Sequence, residues 1–538
     1  MASKKFFVLG IGGTGMRCIE SLIHLCAIGM FDDTDLYLLA LDTDKNNGNF
    51  ARLKAVKDAY LNTKSLDASA RTSHKETFFS ANLKYYEFSP NYEVKSTFKD
   101  VFNYGDTQYT DKGKTDLADL VFSKDVEEFN LRHGYRAQTH LGSMMMYHSI
   151  IEAARDSRPN HLQKFLQELI SASQSGSPRV FILGSVFGGT GASSIPIIPQ
   201  AISEAAAIIS NGSADIMKSA YFGSTLLTAY FNFKVPSESE RDEQKIIATS
   251  DKFAMNSQAA MMFYQDDATV KSTYQKFYMM GTPGLDWDPM QKNGDNVNKT
   301  ITGGDAQKND SHYIELLAAA AALDFYNTEE SVLQNNKENV CADYQYRSVN
   351  DNGKLEFQDF VGQTRAQEFA KKFGMLTVLS ILCNNPDYDF IAGLQSKDQR
   401  IDGYEDVNLE QIRNLKDYFT LFHFSVNEDN LLTEGWLRQI FRSAGQGDNF
   451  LFAPEIFTPA NKRELTKSDW NKKVYKEVGI GKDNNFKKGL LVDDKFDKFK
   501  AAFIKVYEGK ENGSANITNR LEQVLKQTYD ALVNLYQF

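Results

Sequence analysis

Val180 to Gln200, VFILGSVFGGTGASSIPIIPQ, is the stretch on which the fold of this chain turns. The apolar run Val180, Phe181, Ile182 and Leu183 predicts a buried strand. It breaks at Gly184 and runs into Gly188, Gly189, Thr190 and Gly191. A helix is expected next, with Ser193 or Ser194 as its cap and Pro196 in its first turn, where a missing N–H costs little. Strand, glycine turn and helix start together form an anion site: glycines let the backbone approach, and unsatisfied N–H groups point at the charge. Hydrogen bonds to a charged group contribute about 1.5–3 kcal/mol each. An ordinary tight turn between strand and helix would also account for GGTG alone. A second such turn elsewhere in the chain favours the anion site.

That second turn is Lys5 to Gly15, KFFVLGIGGTG, an apolar strand followed by Gly10, Gly12, Gly13 and Gly15. Ile19, Leu22, Ile23 and Cys26 continue at helical spacing. The pattern is a GxGxxG opening a strand–helix unit. Leu36 to Leu41 is a further apolar strand, ending in Asp42, Thr43 and Asp44, and in a dinucleotide-binding reading Asp42 or Asp44 would hold a ribose. Strands are also expected at Lys218 to Ala229, Lys276 to Met280 and Thr420 to Val426. The chain closes on an amphipathic helix carrying Ile517, Leu521, Val524, Leu525, Leu532 and Leu535, expected to pack on its own domain.

At 538 residues the chain is too long for one core of usual size, and two or three domains are expected. Its 42% hydrophobic and 24% charged residues are the balance of a globular, water-soluble protein. A net charge of −10 argues against nucleic acid as a bulk partner. Cys18, Cys26, Cys341 and Cys383 form no CxxC, so reduced thiols in the cytoplasm are expected. The N-terminus enters a strand at Phe6 without a long apolar region, and no stretch approaches the roughly 20 apolar residues of a membrane span.

Two phosphate-type turns exceed what one pyrophosphate needs, and together they resemble the tubulin/FtsZ superfamily, whose loops encircle a nucleoside triphosphate. VLGIGGTG (Gly10, Gly12, Gly13, Thr14, Gly15) is similar to the family's first glycine loop. FGGTGASSIP (Gly188, Gly189, Thr190, Gly191) is similar to its GGGTG signature, and LALDTD to its second loop. GYRAQTHLG, Gly134 to Gly142, resembles the loop over the terminal phosphate, where Arg136 would add charge and Thr139 a hydroxyl. Pro236 falls in what resembles the ribose-contacting loop. DSHYIELLAAAAALDFY, Asp310 to Tyr326, resembles the long central helix, with Asn309 or Asp310 as cap and with Asn309 and Tyr313 one turn apart towards the base. A cap and a core tyrosine are the equal alternative for those two residues.

The resemblance implies an α/β, Rossmann-like tubulin/FtsZ GTPase domain over residues 1–305, with an insertion at about 51–131. A central helix at 306–330 and a C-terminal α+β domain at 331–538 with a terminal helix would follow. It implies GTP/GDP and Mg2+ as ligands, the metal on Asp42 and Asp44, and head-to-tail assembly of the chain with itself, with unidentified adaptor proteins as further partners. Hydrolysis would be completed at a subunit contact by LEFQDFVGQTR, Leu355 to Arg365, in which Asp359 matches the first acidic residue and the second falls at Gly362. The chain departs from the family at Phe187 and Ser193, where glycines are usual, and at Arg17 and Glu20, where asparagines lie near the base. Glu20 could accept from guanine N1–H and N2–H, or be a solvated helix residue. The rival readings are a nucleotide-binding switch that does not hydrolyse, and an NAD-dependent oxidoreductase built on Gly10, Gly12 and Gly15.

Overall fold

The computed structural model describes residues 4–32, 34–64, 76–103, 112–135, 137–231, 252–281, 309–340 and 343–348. Further on it describes 360–362, 364–365, 368–369, 372–373, 375–376, 379–380, 409–422, 425–426, 432–433, 435–444, 501–506 and 520–536. Pro236 and Asp359 lie outside these residues, as does Arg136.

The first unit is β1 (Lys4–Ile11), α1 (Gly12–Ala27) and β2 (Thr34–Leu41), then α2 (Gly48–Lys64) and β3 (Asn82–Phe88). Helices α3 (Phe98–Phe102), α4 (Lys112–Val121), α5 (Lys124–Glu128), α6 (Thr139–Arg155) and α7 (His161–Ser175) lead to β4 (Arg179–Leu183). Then come α8 (Thr190–Ser194), α9 (Ile198–Ser210) and β5 (Tyr221–Leu227). α10 (Phe253–Asp266), α11 (Ala268–Thr273) and β6 (Lys276–Gly281) precede the central helix α12 (Tyr313–Asn327), α13 (Glu330–Glu338) and β7 (Asp343–Ser348). Helices α14 (Leu409–Phe422), α15 (Trp436–Ala444) and α16 (Arg520–Tyr536) follow, with two short antiparallel strands, Ser425–Val426 and Leu432–Thr433, between α14 and α15.

Among the described residues, seven strands form one sheet in the order β3-β2-β1-β4-β5-β6-β7, and every pairing is parallel. Parallel strands covered on both faces become continuous apolar runs, and β2 is buried throughout. Side chains alternate between two cores. Phe6 and Val8 of β1 join α1, α12 and the C-terminal helices on one face. Phe7, Leu9 and Ile11 join α6, α7 and α9 on the other. The chain is therefore an α/β protein with a Rossmann-like, doubly wound parallel sheet, and its strand order reverses between β1 and β4.

Several expectations are corrected. Residues 51–88, expected to hold a helix and a strand near Leu83 to Phe88 within an insertion, do carry them as α2 and β3, but as the crossover and third strand of a regular unit. β7, placed in the C-terminal region, is the parallel partner of β6. Thr420 lies in α14, so the strand expected at Thr420 to Val426 shrinks to Ser425–Val426. The C-terminal helices do not keep to themselves. Tyr418, Trp436, Leu525 and Leu532 are buried in the same core as α1, and Tyr529 of α16 meets Phe78 edge-on. Among the described residues, no helix is long and apolar enough to cross a membrane.

Candidate functional site

Gly10 and Leu183 are register partners, so both glycine turns leave the sheet side by side at the point where strand order reverses. Ligands of open α/β sheets bind at that crevice. The glycines of the first turn do different work. A β-carbon on Gly15 would stand 2.6 Å from the Gly10 carbonyl carbon and 2.7 Å from the Leu183 oxygen, so Gly10 and Gly15 let strand and helix backbones touch. Gly12 has φ of +68°, which opens α1 in a conformation that L side chains rarely adopt. A β-carbon there would meet Thr190 Cβ at 3.5 Å, so the two turns abut.

Two further segments join them. Thr43 Oγ1 lies 3.5 Å from Thr190 Oγ1. A β-carbon on Gly134 would be 3.6 Å from the Thr43 hydroxyl and 3.7 Å from that of Thr190. Four separate segments thus place glycine backbone and hydroxyl groups around one spot. At Gly188 the space is open, with Ser185 Oγ at 3.7 Å from a β-carbon. Thr139 is exposed at the start of α6.

The predicted caps fall elsewhere. Ser193 and Ser194 are inside α8, which begins at Thr190 with Gly189 as N-cap, and Pro199 rather than Pro196 sits in the first turn of α9. The central helix begins later than expected, at Tyr313. Its cap is His312, whose Nδ1 accepts from the Ile314 N–H at 3.2 Å, while Glu315 Oε2 accepts from the His312 N–H at 2.9 Å. Asn309 therefore precedes the helix and shares no helical face with Tyr313, which is fully buried.

Asp42, Thr43 and Asp44 are all buried at the end of β2. Asp42 Oδ1 accepts from the Asp44 N–H at 3.3 Å and Oδ2 from Asn47 Nδ2 at 3.2 Å. Burial, helped by the neighbouring Asp44 charge, pushes the Asp42 carboxyl up to about 7. A hard divalent cation accepts such an oxygen set, and its charge would favour the ionised carboxylate. Asp42 and Asp44 are oxygen ligands of the kind Mg2+ takes, and among the described residues no third His, Cys, Asp or Glu joins them.

A buried polar layer that the sequence does not announce lies along α1. Arg17 Nε donates to Glu315 Oε1 at 2.6 Å, and Arg17 Nη2 to Tyr230 OH at 3.2 Å. Burial opposes the charge on Arg17, but Glu315 and Tyr230 outweigh it and hold the guanidinium protonated. Glu20 is no solvated residue: it is 1% exposed, Arg52 donates to its Oε1 at 2.9 Å, and Ser311 Oγ donates to its Oε2 at 3.0 Å. Burial would raise that carboxyl, yet Arg52 and His24 hold it below its usual range. The C-terminal helices close the layer. Tyr418 OH lies 2.8 Å from His24 Nδ1, Trp436 Nε1 donates to Ser21 Oγ at 3.1 Å, and Gln439 Oε1 accepts from the Ser311 N–H at 2.9 Å.

These features define an α/β protein with paired glycine turns at the switch point of a parallel sheet. No protein-family model, no curated protein and no solved structure matches the chain.

Proposed function

We propose that the chain binds GTP with Mg2+ at the strand ends between β1 and β4, and that it assembles head-to-tail with GTP hydrolysis completed at the subunit contact, as its resemblance to tubulin/FtsZ proteins implies. The observation that carries this reading is the abutment of the two glycine turns through Gly12 and Thr190, with Thr43 and Gly134 beside them. One pyrophosphate at one helix end needs a single such turn; a triphosphate uses both. In this reading the N–H groups of Gly12, Gly13 and Thr14 and those of Gly188 to Gly191 hold phosphate oxygens, and Thr43 and Thr190 add hydroxyls. Asp42 and Asp44 would hold Mg2+, which supplies charge neutralisation. Exposed apolar side chains on α4 (Leu117, Leu120) and α10 (Met255, Met262, Phe263) supply surface for a contact between copies.

A switch that binds GTP without hydrolysing it is the second reading. Gly362, which stands where the family has a second acid, has φ of +78°, a conformation in which an acidic side chain would be strained. Releasing the bound small molecule from purified protein and identifying it separates the readings. GDP, with turnover per subunit that rises with protein concentration, supports the hydrolase. Intact GTP supports the switch, and NAD would refute both.

A further inference from the structure

We infer that α10 docks on α10 of a second copy of this chain, as an antiparallel pair about a two-fold axis, and that the glycine turn Gly188 to Gly191 controls the pairing; the control rests on the GTP reading above. The sequence of α10, FAMNSQAAMMFYQD, contains one charged residue, Asp266. Phe253, Ser257 and Tyr264 hold one face of the helix in the protein. On the other face Met255 is 61%, Met262 59% and Phe263 49% exposed, and Gln258 and Ala259 between them are exposed as well. Met255 and Met262 stand two turns apart on one line along the helix. The outer face of a surface helix is ordinarily charged or polar, whereas here it is an apolar stripe of the kind that marks a contact.

Symmetry and charge point to a second copy as the occupant. Copies of a chain with net charge −10 repel one another, and a stripe without charge lets them approach. Along the stripe, Met255, Gln258, Ala259 and Met262 read almost the same in both directions, as a contact between identical patches requires. With the axis passing between Gln258 and Ala259, Met255 faces the partner's Met262, and the small Ala259 side chains let the two helices close. Lys252, the N-cap, then comes beside the partner's Asp266, so the charges at the two ends of the helix pair across the axis. Three part-exposed side chains fall well short of the roughly 800 Å² per partner of a stable interface. The contact is therefore weak alone and gains strength when head-to-tail assembly already holds copies close.

The inner side of the same helix is tied to the glycine turn. Asn256 Nδ2 donates to the Phe187 carbonyl at 3.3 Å, and the Phe253 and Phe187 rings lie 4.7 Å apart. Phe187 is one of the residues at which this chain departs from the family's glycines, and its carbonyl immediately precedes Gly188. A phosphate that orders the backbone from Gly188 to Gly191 therefore also fixes the first turn of α10. Coupling of this kind is reciprocal: pairing through α10 favours the ordered turn as much as the ordered turn favours pairing.

Oxidative cross-linking of the full chain tests both parts. Met255→Cys and Met262→Cys change exposed side chains and should fold normally. An equal mixture of the two should form disulfide-linked dimer at least about fivefold faster than either variant alone, because a disulfide needs Cα atoms within about 7 Å. The native chain, in which Cys18 and Cys26 are buried, gives the background rate. GTP with Mg2+ should raise the rate in the mixture by about fivefold or more, and Asn256→Ala in both chains should abolish that rise without changing the rate in the absence of nucleotide. Equal rates in the mixture and in the single variants, or rates at background throughout, would overturn the antiparallel pair. A rate that bound GTP leaves unchanged, or raises equally in Asn256→Ala, would overturn the control by the glycine turn. GTP binding is measured alongside by equilibrium dialysis. A folded chain that binds none would refute the GTP reading and the control with it, while the preference for the mixture would still decide the pair.

Discussion

Acid should weaken the native chain through His312, the cap of the central helix. Its ring packs at 4.9 Å from the Tyr230 ring and 4.6 Å from that of Tyr313, and its Nδ1 is an acceptor for the Ile314 N–H. Burial, with the Arg17 charge adding to it, lowers the imidazole from an ordinary 6.5 to about 3. The unfolded chain therefore binds a proton that the native chain refuses between those two values. Stability from this group is complete above about pH 6.5 and is lost as pH falls through the window. Linkage gives a loss on the order of 1–2 kcal/mol between pH 5.5 and 5, relative to pH 7.5. Other groups titrate in the same range, including His24, whose pKa burial also lowers. The informative quantity is therefore the difference between the native chain and His312→Asn, which keeps a capping oxygen and removes the titration. Urea unfolding followed by tryptophan fluorescence suits the purpose, because Trp436 packs on α1 in the core shared with α12. His312→Asn should gain on the native chain by roughly 1–2 kcal/mol between pH 7.5 and 5.5. A difference that stays flat over that range, or that moves the other way, would refute the buried neutral imidazole.

Gly188→Val adds a branched side chain where the structure leaves space, so the protein should fold while its affinity for GTP drops at least about tenfold; unchanged affinity would remove this turn from the site. Gly15→Ala should instead cost folding, by about 3 kcal/mol or more, because its β-carbon would overlap the β1 and β4 backbones, and a normal melting temperature would contradict the geometry. Replacing Asp42 and Asp44 together with Ala should weaken GTP binding in Mg2+ more than binding in EDTA; an equal loss in both would mean that the carboxylates only shape the loop. Glu315→Leu alone should destabilise by about 3–5 kcal/mol by stranding the Arg17 charge, and Arg17→Met in the same chain should recover most of it. Failure of the double variant to recover would show that the capping role of Glu315 outweighs the ion pair.

The strands and both glycine turns are legible in the sequence because fully buried parallel strands are uninterrupted apolar runs and their exits are glycines. Helix starts are less so. Thr190 opens a short helix inside the very motif that suggests a later cap, and histidine is an uncommon N-cap, so the sequence points to Asn309 or Asp310 rather than His312. β7 carries polar alternation at one edge of the sheet, as DYQYRS, and only pairing reveals it as a strand, whereas β3 at the other edge is legible near Leu83 to Phe88 and only its place in the regular unit is not. The pairing of Arg17 with Glu315 spans 298 positions and has no local signature. Neither residue is distinguishable from a solvated helix charge until the helices are packed together. The same holds for Glu20 and Arg52, whose burial depends on α2 and on the residues ahead of α12.

The packing of Tyr418 and Trp436 against α1 has a consequence for biosynthesis. α1 leaves the ribosome well before the side chains that cover its His24 and Ser21 face, which lie 394 and 415 positions later in the chain. At 5–20 residues per second, the roughly 400 residues between them take about 20–80 s to make. During that interval one flank of the first helix has no native cover. A nascent chain of this protein should therefore engage chaperones at α1 early, and release them only once α14 and α15 have emerged.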